Sequence, residues 1–275
     1  MVFVATAFTQ CCNDGWWYSW WLDPLGVHDS LRGGWDMDSL TATCDIYDFS
    51  GNGNNGVITG ATDTTGFGED SMGCASGGSY YFDGTNYVNC GNDPSLQIKT
   101  KITASAWIYS TSTRYNGYYI LAKRSYRVEN YYLCMEQGSI NITKVYWGNN
   151  DHIMSCNDHQ KNRWEFVGFR ANQDTIFLYH NGAWVDTTIH SASWSASYNV
   201  PLWIGSPDPI SYGNLYNWRG FLDEIRIIES DDPAIMDSLY YYNDVHGACA
   251  AAPVTTGAKM RGVSIDGKLQ TWRTQ

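Results

Sequence analysis

Alternation of apolar and polar residues is the main pattern along the chain, and it is clearest between residues 102 and 109. Apolar side chains occupy every second position of this segment, at Ile102, Ala104, Ala106 and Ile108. Successive side chains of a strand point to opposite faces of a sheet. The segment is therefore predicted to be a long strand with one buried face.

Turn signals separate this strand from others of similar character. Asp83-Gly84 stands between the β-forming segments 80–82 and 87–88, and Asn181-Gly182 stands between 175–180 and 184–189. Glycine adopts positive φ without a Cβ clash, so both dipeptides predict hairpins, the second of type I′. Further short strands are predicted at 118–123, 131–136, 142–147, 152–156 and 163–170. Many short strands with turns between them are typical of a two-sheet antiparallel sandwich.

Helical signals are few. Asp93-Pro94-Ser95-Leu96 predicts one helical turn with an aspartate cap, and Ser230-Asp231-Asp232-Pro233 predicts a helix that continues to about residue 242. Gly51-Asn52-Gly53-Asn54-Asn55-Gly56 matches the dinucleotide fingerprint in letters alone. The β-like residues 57–59 follow it instead of a helix, so it is interpreted as a turn.

Composition narrows the function classes. The formal net charge is −11, which argues against a nucleic-acid partner because binding to a phosphate backbone needs a basic face. No run of 18 apolar residues is present, so no membrane span is expected, and residues 1–8 lack the basic start of a convincing signal peptide. An acidic surface is compatible with cations or neutral ligands, and equally with solubility alone.

Eight cysteines are present, and none forms a Cys-x-x-Cys pair. The even count favours disulfides and an oxidising setting over zinc binding, with buried free thiols as the alternative. Four bridges permit 105 pairings, so the sequence does not decide the connectivity. We expect one bridge, between Cys134 and Cys156, because these residues would lie on nearby strands.

Three segments in order resemble the laminin-G-like, concanavalin A-like jelly-roll family. They are Trp35-Asp36-Met37-Asp38 with the Asp48-to-Gly56 loop, the run from Phe82-Asp83-Gly84 to Ala106-Trp107, and Gly220 to Ile227. The resemblance covers about residues 31–243. It implies an all-β jelly-roll sandwich of two antiparallel sheets. Outside it lie an aromatic-rich extension at 1–30 and a linker with a predicted β-hairpin extension at 244–275.

The same resemblance implies a structural calcium ion. Calcium prefers six to eight oxygen ligands on a tight loop. Asp48, Asn52 and Asn54 supply side-chain oxygens on one loop, and Asp223 is the expected fourth ligand from a distant strand. The alternative is that the loop residues only form Asx turns. A second set of possible metal ligands, His152, Cys156 and His159, has only a loosely metal-like spacing.

Carbohydrate binding is the leading functional hypothesis. Sugars present apolar faces and hydroxyl groups, and the polar loops at 191–219 carry aromatic rings at Trp194, Tyr212, Tyr216 and Trp218. Ordinary packing of these rings is the alternative. The hydrolase pattern Glu-x-Asp-x-Glu and the motif Gly-x-Ser-x-Gly are both absent from the sequence. A polysaccharide-degrading enzyme is therefore the second hypothesis, and a structural subunit without a ligand is the third.

The expected setting is extracellular: a cell surface, a filament or a virion. The two extensions predict self-assembly, or contact with other subunits of a virion fibre or a cell-surface filament. In this interpretation the chain is a non-catalytic glycan-binding or adhesion module of an exposed assembly.

Overall fold

A computed structural model describes residues 28–37, 45–60, 78–112, 118–125, 128–137, 141–147, 150–155, 159–190, 199–246, 260–263 and 269–272. Its strands, in chain order, are β1 (Leu31–Trp35), β2 (Val57–Thr59), β3 (Tyr80–Asp83), β4 (Tyr87–Asn89), β5 (Ile102–Ser110), β6 (Tyr118–Ser125), β7 (Val128–Gln137), β8 (Asn141–Trp147), β9 (Asn150–Ser155), β10 (Trp164–Ala171), β11 (Thr175–His180), β12 (Ala183–Ile189), β13 (Leu202–Ile204), β14 (Arg219–Ile228), β15 (Met260–Val263) and β16 (Leu269–Trp272). Two α-helices are described, α1 (Pro209–Tyr212) and α2 (Pro233–His246). Neither described helix has the length and apolar character to cross a bilayer.

The strands form two antiparallel sheets of seven strands each, which confirms the predicted sandwich. Sheet I has the order β1-β14-β5-β10-β11-β12, and β3 pairs with β14 beyond the end of β1. Sheet II has the order β2-β4-β13-β6-β7-β8-β9. The segment from β6 to β9 is a meander built from the short strands predicted there, while β15 and β16 form a separate two-stranded hairpin.

The main core lies between the sheets and is made of the inward side chains of both. On β5 the predicted apolar face, including Ile102 and Ile108, is fully buried in this core. The opposite face of β5 is buried as well, since Thr103 and Ser105 are not exposed and Trp107 packs in a second cluster with α2. The prediction of one buried face is therefore incomplete, because a helix covers the other face.

The two predicted hairpins have different outcomes. Asn181-Gly182 joins the paired strands β11 and β12, and both residues have positive φ, 45° and 86°, as a type I′ turn requires. Asp83-Gly84 forms a turn in which the Asp83 carboxylate accepts from the Thr85 N–H at 2.7 Å. That turn carries the chain from β3 in sheet I to β4 in sheet II, so the predicted hairpin is wrong.

The predicted helix caps are present. The Asp93 carboxylate accepts from the Ser95 N–H at 2.8 Å at the start of a 3-10 helix over Pro94–Leu96, and this hydrogen bond lowers the pKa of Asp93. The Asp232 carboxylate accepts from the Ala234 N–H at 2.9 Å at the start of α2. Helix α2 ends at His246, four residues later than predicted.

Candidate functional site

An aromatic cluster covers the outer face of sheet II. Alternation on β6, β7 and β8 directs Leu121, Leu133 and Val145 into the main core. The outward positions carry Tyr119, Ala122, Tyr132, Cys134 and Tyr146, and Tyr216 packs against them from the loop that precedes β14. Because sheet II already buries its inner face, these outward rings are not required for the sandwich core.

Arg124 lies at the centre of this cluster. Its guanidinium carbon is 5.3, 5.2 and 5.1 Å from the ring centroids of Tyr119, Tyr132 and Tyr212, which is within the range of cation–π attraction. The guanidinium donates to the Tyr212 hydroxyl at 2.8 Å and to the Tyr119 hydroxyl, and it forms an ion pair with Glu129. Burial alone lowers the pKa of Arg124, but these neighbours raise it above its ordinary value. The arginine is therefore held as a cation.

Two polar groups in this region have buried atoms without a hydrogen-bond partner in the described structure. They are the Nε–H of Arg124 and the side-chain amide of Asn130, both of whose polar atoms lack a partner. Asn130 lies between Glu129, which pairs with Arg124, and Tyr131, at the point where the register between β6 and β7 shifts. Buried polar groups without partners are rare in proteins and indicate water or ligand contacts.

The rim of the cluster is the short helix α1 and the turn that follows it. The Asp208 carboxylate caps α1 by accepting from the Ile210 N–H at 3.1 Å and the Ser211 hydroxyl at 2.6 Å. Tyr212 and Tyr216 pack edge to face with ring centroids 5.7 Å apart. Ile210 and Leu215 are 86% and 73% exposed, so this rim presents apolar surface to solvent.

The structure brings together two of the four predicted ligand-binding residues. Tyr212 and Tyr216 are neighbours at the rim, and both are partly exposed. Trp218 is 0% exposed in the main core, and its indole N–H donates to the Phe221 carbonyl at 3.3 Å, so the structure does not place it in the cluster. Trp194 lies outside the described residues.

Sequence reasoning missed Tyr119, Arg124, Asn130 and Tyr132. When both faces of a strand are buried, the identity of a tyrosine or an arginine does not reveal the face on which its side chain lies. For the two tyrosines the available signal was strand phase, since they alternate with core residues of β6 and β7. Asn130 lies at a register shift, where alternation fails.

The Asp48 loop is organised by hydrogen bonds within it. One carboxylate oxygen of Asp48 accepts from the N–H groups of Gly34 and Ser50, and the other accepts from the Ser50 hydroxyl and the Asn54 N–H. The distances are 2.8–3.0 Å. The side-chain NH₂ groups of Asn52 and Asn54 donate to backbone carbonyls of β1. The contact between Asp48 and the Ser50 N–H is an Asx turn, while the contacts with Gly34 and with the β1 carbonyls tie the loop to β1.

These contacts do not form a calcium cage from the four predicted ligands, because N–H and O–H donors fill both oxygens of Asp48. Asn54 Oδ1 is buried without a hydrogen-bond partner among the described residues. Asp223 is buried on β14, opposite Trp107 of β5. Calcium binding by Asp48, Asn52, Asn54 and Asp223 stays a prediction.

The predicted disulfide also stays a prediction. Cys134 is buried in β7 on the outer face of sheet II, and Cys156 lies outside the described residues. Cys90 is a free, buried thiol, and burial together with the nearby Asp48 carboxylate raises its pKa well above the ordinary value.

A second polar cluster lies at one end of the main core. The loosely metal-like set suggested by spacing contained His159 with His152 and Cys156. The structure places His159 against Glu165 of β10, which also lies near His180 of β11, while Cys156 and the side chain of His152 lie outside the described part of the chain. Burial alone raises the pKa of Glu165, but contacts with both histidines and the Gln160 N–H outweigh it and lower the pKa to about 2.

Known structures share this fold at low sequence identity. Domain 4 of AbnA, a GH43 extracellular arabinanase from Geobacillus stearothermophilus, was solved in complex with arabinotriose. It is 16% identical to this chain with a TM-score of 0.56, and the alignment covers 77% of this chain and 98% of that domain.

Two toxin domains are also similar. The receptor-binding domain of botulinum neurotoxin mosaic serotype C/D is 12% identical with a TM-score of 0.59, and 80% of this chain and 52% of that domain are covered. The binding domain of Paraclostridial Mosquitocidal Protein 1 is 17% identical with a TM-score of 0.54, at 79% and 53% coverage. This chain thus spans about half the length of the toxin domains.

At the level of sequence, no curated protein matches the chain. A family model does match it, over residues 82–230, which are 149 of the 275 residues. Since this match covers more than half of the sequence, and since the two sheets form the predicted jelly-roll sandwich, the chain belongs to the concanavalin A-like lectin/glucanases superfamily.

Proposed function

We propose that this protein is a non-catalytic carbohydrate-binding module whose ligand contacts the outer face of sheet II. The observation that carries the proposal is the Arg124 cluster, in which three tyrosine rings surround one guanidinium beside buried polar atoms that lack partners. Tyr212 and Tyr216 are the partly exposed rings of the cluster, so their faces can pack against the apolar side of a sugar ring, with the buried Tyr119 and Tyr132 behind them. The exposed rim at Ile210 and Leu215 would extend the contact area.

The charge at the cluster favours a neutral sugar over an anionic one. Glu129 pairs with Arg124 and cancels its charge, so the cluster does not present an unpaired cation to a ligand. The chain as a whole carries a net charge of −11, which disfavours acidic partners further. Neutral polysaccharides, such as arabinose-based chains of the kind bound by the similar arabinanase domain, are therefore the first ligands to test.

The roles of the carboxylates support binding without hydrolysis. Glycoside hydrolysis uses a carboxylic acid with a raised pKa and a second carboxylate roughly 5–9.5 Å away. Glu129 is held by Arg124, and Asp208 is held by the residues that it caps. The pKa of Glu165 is lowered to about 2, so that carboxylate stays ionised and does not serve as a general acid at neutral pH.

We extend the proposal to the setting of the module. Carbohydrate ligands of this class lie on cell surfaces and in extracellular material, so we infer an extracellular, cell-surface or virion location. The hairpin of β15 and β16 has backbone edges that can pair with a strand of another subunit. We infer that the module is carried by a larger assembly, such as a filament or a fibre, through its terminal extensions.

A glycan array that includes arabinotriose, followed by calorimetry on the best ligand, tests the binding proposal. We expect binding by the wild-type chain and a loss of at least tenfold in affinity for Tyr212→Ala and Asn130→Ala. Tyr47→Ala is the matched control, because Tyr47 is 37% exposed on a distant loop and its removal is expected to leave affinity unchanged. Failure of every glycan to bind, or equal affinity for all three variants, would contradict the proposal.

Thermal melting with calcium and with a chelator tests the predicted calcium site separately from glycan binding. If Asp48, Asn52, Asn54 and Asp223 hold a calcium ion, chelation lowers thermal stability and Asp48→Asn abolishes that sensitivity. Equal melting temperatures with calcium and with chelator would show that the loop is held by its Asx turns alone.

A further inference from the structure

The cluster of His159, Glu165 and His180 combines three metal-ligating side chains in the interior of the protein. These residues are 3%, 0% and 5% exposed. One ligand atom from each, two imidazole nitrogens and one carboxylate oxygen, can be chosen so that all three lie within 4.8 Å of one another. Two imidazoles and a carboxylate are a ligand set that binds divalent first-row transition ions.

The position of the cluster in the sheet is unusual. On β10 the inward residues after Glu165 are Val167 and Phe169, and on β11 the inward residue before His180 is Leu178. Val167 and His180 are direct register partners. Glu165 and His180 thus occupy core positions that apolar side chains fill elsewhere on the same two strands. An ionised carboxylate at such a position needs a compensating charge.

The amide of Asn181 indicates where the proton of His180 lies. Asn181 Oδ1 accepts from the Phe166 N–H at 2.8 Å, and this contact directs Asn181 Nδ2 towards His180 Nε2 at 3.2 Å. An NH₂ group can only donate, so Nε2 is the acceptor and carries a lone pair. This lone pair is engaged by Asn181, and Nε2 lies 3.7 Å from Glu165 Oε1. A cation bound by Nε2 would replace the Asn181 donor and offset the negative charge of the carboxylate.

The two oxygens of Glu165 have different roles. Oε1 accepts from the Gln160 N–H at 3.0 Å and from Arg163 Nε at 2.9 Å, while Oε2 faces His159 Nδ1. Oε2 is therefore the oxygen available to an ion. The side chain of Arg163 is 40% exposed, so its guanidinium can turn to solvent when a second cation neutralises the carboxylate.

We propose that His159, Glu165 and His180 form a binding site for a divalent first-row transition ion, with Zn²⁺ as the reference ion. Bonds of roughly 2.0–2.1 Å to nitrogen and oxygen would require the contacting groups of His159 and Glu165 to separate and the His180 nitrogen to move closer. Such an ion would join the start of β10, the end of β11 and the loop before β10. Its role is structural, since it lies inside the sandwich on a different sheet from the Arg124 cluster.

Calorimetry with Zn²⁺ on the chelator-stripped full chain tests this site. We expect one ion per chain and a higher melting temperature with Zn²⁺ than with chelator. Glu165→Gln and His180→Ala are expected to lower the affinity for Zn²⁺ at least tenfold. His190→Ala is the matched control, because His190 is a partly buried histidine that contacts the Asn172 carbonyl at 3.1 Å, and it should bind Zn²⁺ like the wild type. Cobalt substitution adds a visible spectrum that reports nitrogen and oxygen ligands.

Arg163→Gln separates a metal site from a simple ion-pair network. It removes the cation that competes for Glu165 and leaves the three ligands in place, so the affinity for Zn²⁺ is expected to rise severalfold. In an ion-pair network without metal, the same change only destabilises the chain. The proposal is overturned if the wild type takes up no Zn²⁺ at micromolar concentrations, or if uptake is unchanged in both Glu165→Gln and His180→Ala. The wild-type titration and melting curves decide the question even where a variant fails to fold.

Discussion

The outer faces of the two sheets are both rich in aromatic side chains, but the chain covers them differently. On sheet I the helix α2 lies over Trp107, Phe166 and Tyr179, with Tyr240 stacked on Trp107 at 5.8 Å. The Tyr179 hydroxyl donates to the Asp237 carboxylate of the same helix at 2.7 Å. A 14-residue helix of the chain itself therefore fills this face.

On sheet II the corresponding face is covered only in part. Helix α1 has four residues, and its surroundings expose Ile210 and Leu215. The rings on this face surround Arg124, whose Nε–H has no partner among the described residues. An aromatic surface thus does not by itself indicate a binding site. The two sheets differ in whether another part of the chain covers the aromatic surface. On sheet II, polar atoms without partners and exposed apolar side chains remain that a ligand could contact.

The largest expected effect is on the covered face. Phe166 is 1% exposed and packs against Trp107, Tyr179 and Tyr240 with centroid distances of 5.4, 5.9 and 5.6 Å. Phe166→Ala is expected to lower the free energy of unfolding by about 3–5 kcal/mol, because it removes buried area and leaves a cavity. Urea denaturation measures this loss, and glycan affinity should be retained. A loss below about 1 kcal/mol would show that α2 does not seal this face.

The next expected effect concerns the cation beside Arg124 on the same strand. Lys123 is fully buried and donates to the Val200 carbonyl at 2.7 Å and to Asn92 Oδ1 at 2.6 Å. Burial lowers the pKa of Lys123 to about 8, and the nearby Asp93 only partly opposes this shift. Above pH 8 the folded chain therefore binds fewer protons at this site than the unfolded chain does. The free energy of unfolding should rise with pH towards 10.5, by up to about 1.4 kcal/mol per pH unit.

Lys123→Met isolates this contribution. Cys90 and Tyr131 act in the opposite direction at high pH, because burial raises the pKa of both groups and the unfolded chain ionises them first. The difference in unfolding free energy between wild type and Lys123→Met removes their effect. Between pH 8 and 10.5 the wild type should gain stability relative to Lys123→Met. A stability difference that does not change with pH would contradict the lowered pKa of Lys123.

The smallest expected effect is on the stability of the open rim. Leu215 is 73% exposed, so Leu215→Ser should change the free energy of unfolding by no more than about 0.5 kcal/mol. A loss above about 1 kcal/mol would mean that the rim packs against the chain as α2 does. The melting temperatures of Leu215→Ser and Tyr47→Ala, each compared with the wild type, measure this effect at two exposed positions.

The sequence predicted part of the candidate site. Tyr212 and Tyr216 were identified from the composition of their loop, and the structure places them together. Trp218 has the same chemistry in the same stretch, yet its side chain lies in the main core. Arg124 and Asn130 were missed because they lie on strands whose two faces are both buried, where residue type does not reveal which neighbours meet.

Local sequence determined local conformation in this protein. The caps at Asp93 and Asp232, the type I′ turn at Asn181-Gly182 and the alternation of β5 all depend on contacts within a few residues, so they could be predicted. The tight turn after Asp83 was predictable for the same reason.

Only the tertiary structure decided what those elements face. The turn after Asp83 leads into a second sheet because β3 pairs with β14, more than 130 residues away. The contact between Arg124 of β6 and Tyr212 of α1, 88 residues apart, likewise depends on elements that are distant in the sequence. Burial and charge pairing are set by such long-range contacts, and the preferences of neighbouring residues carry no information about them.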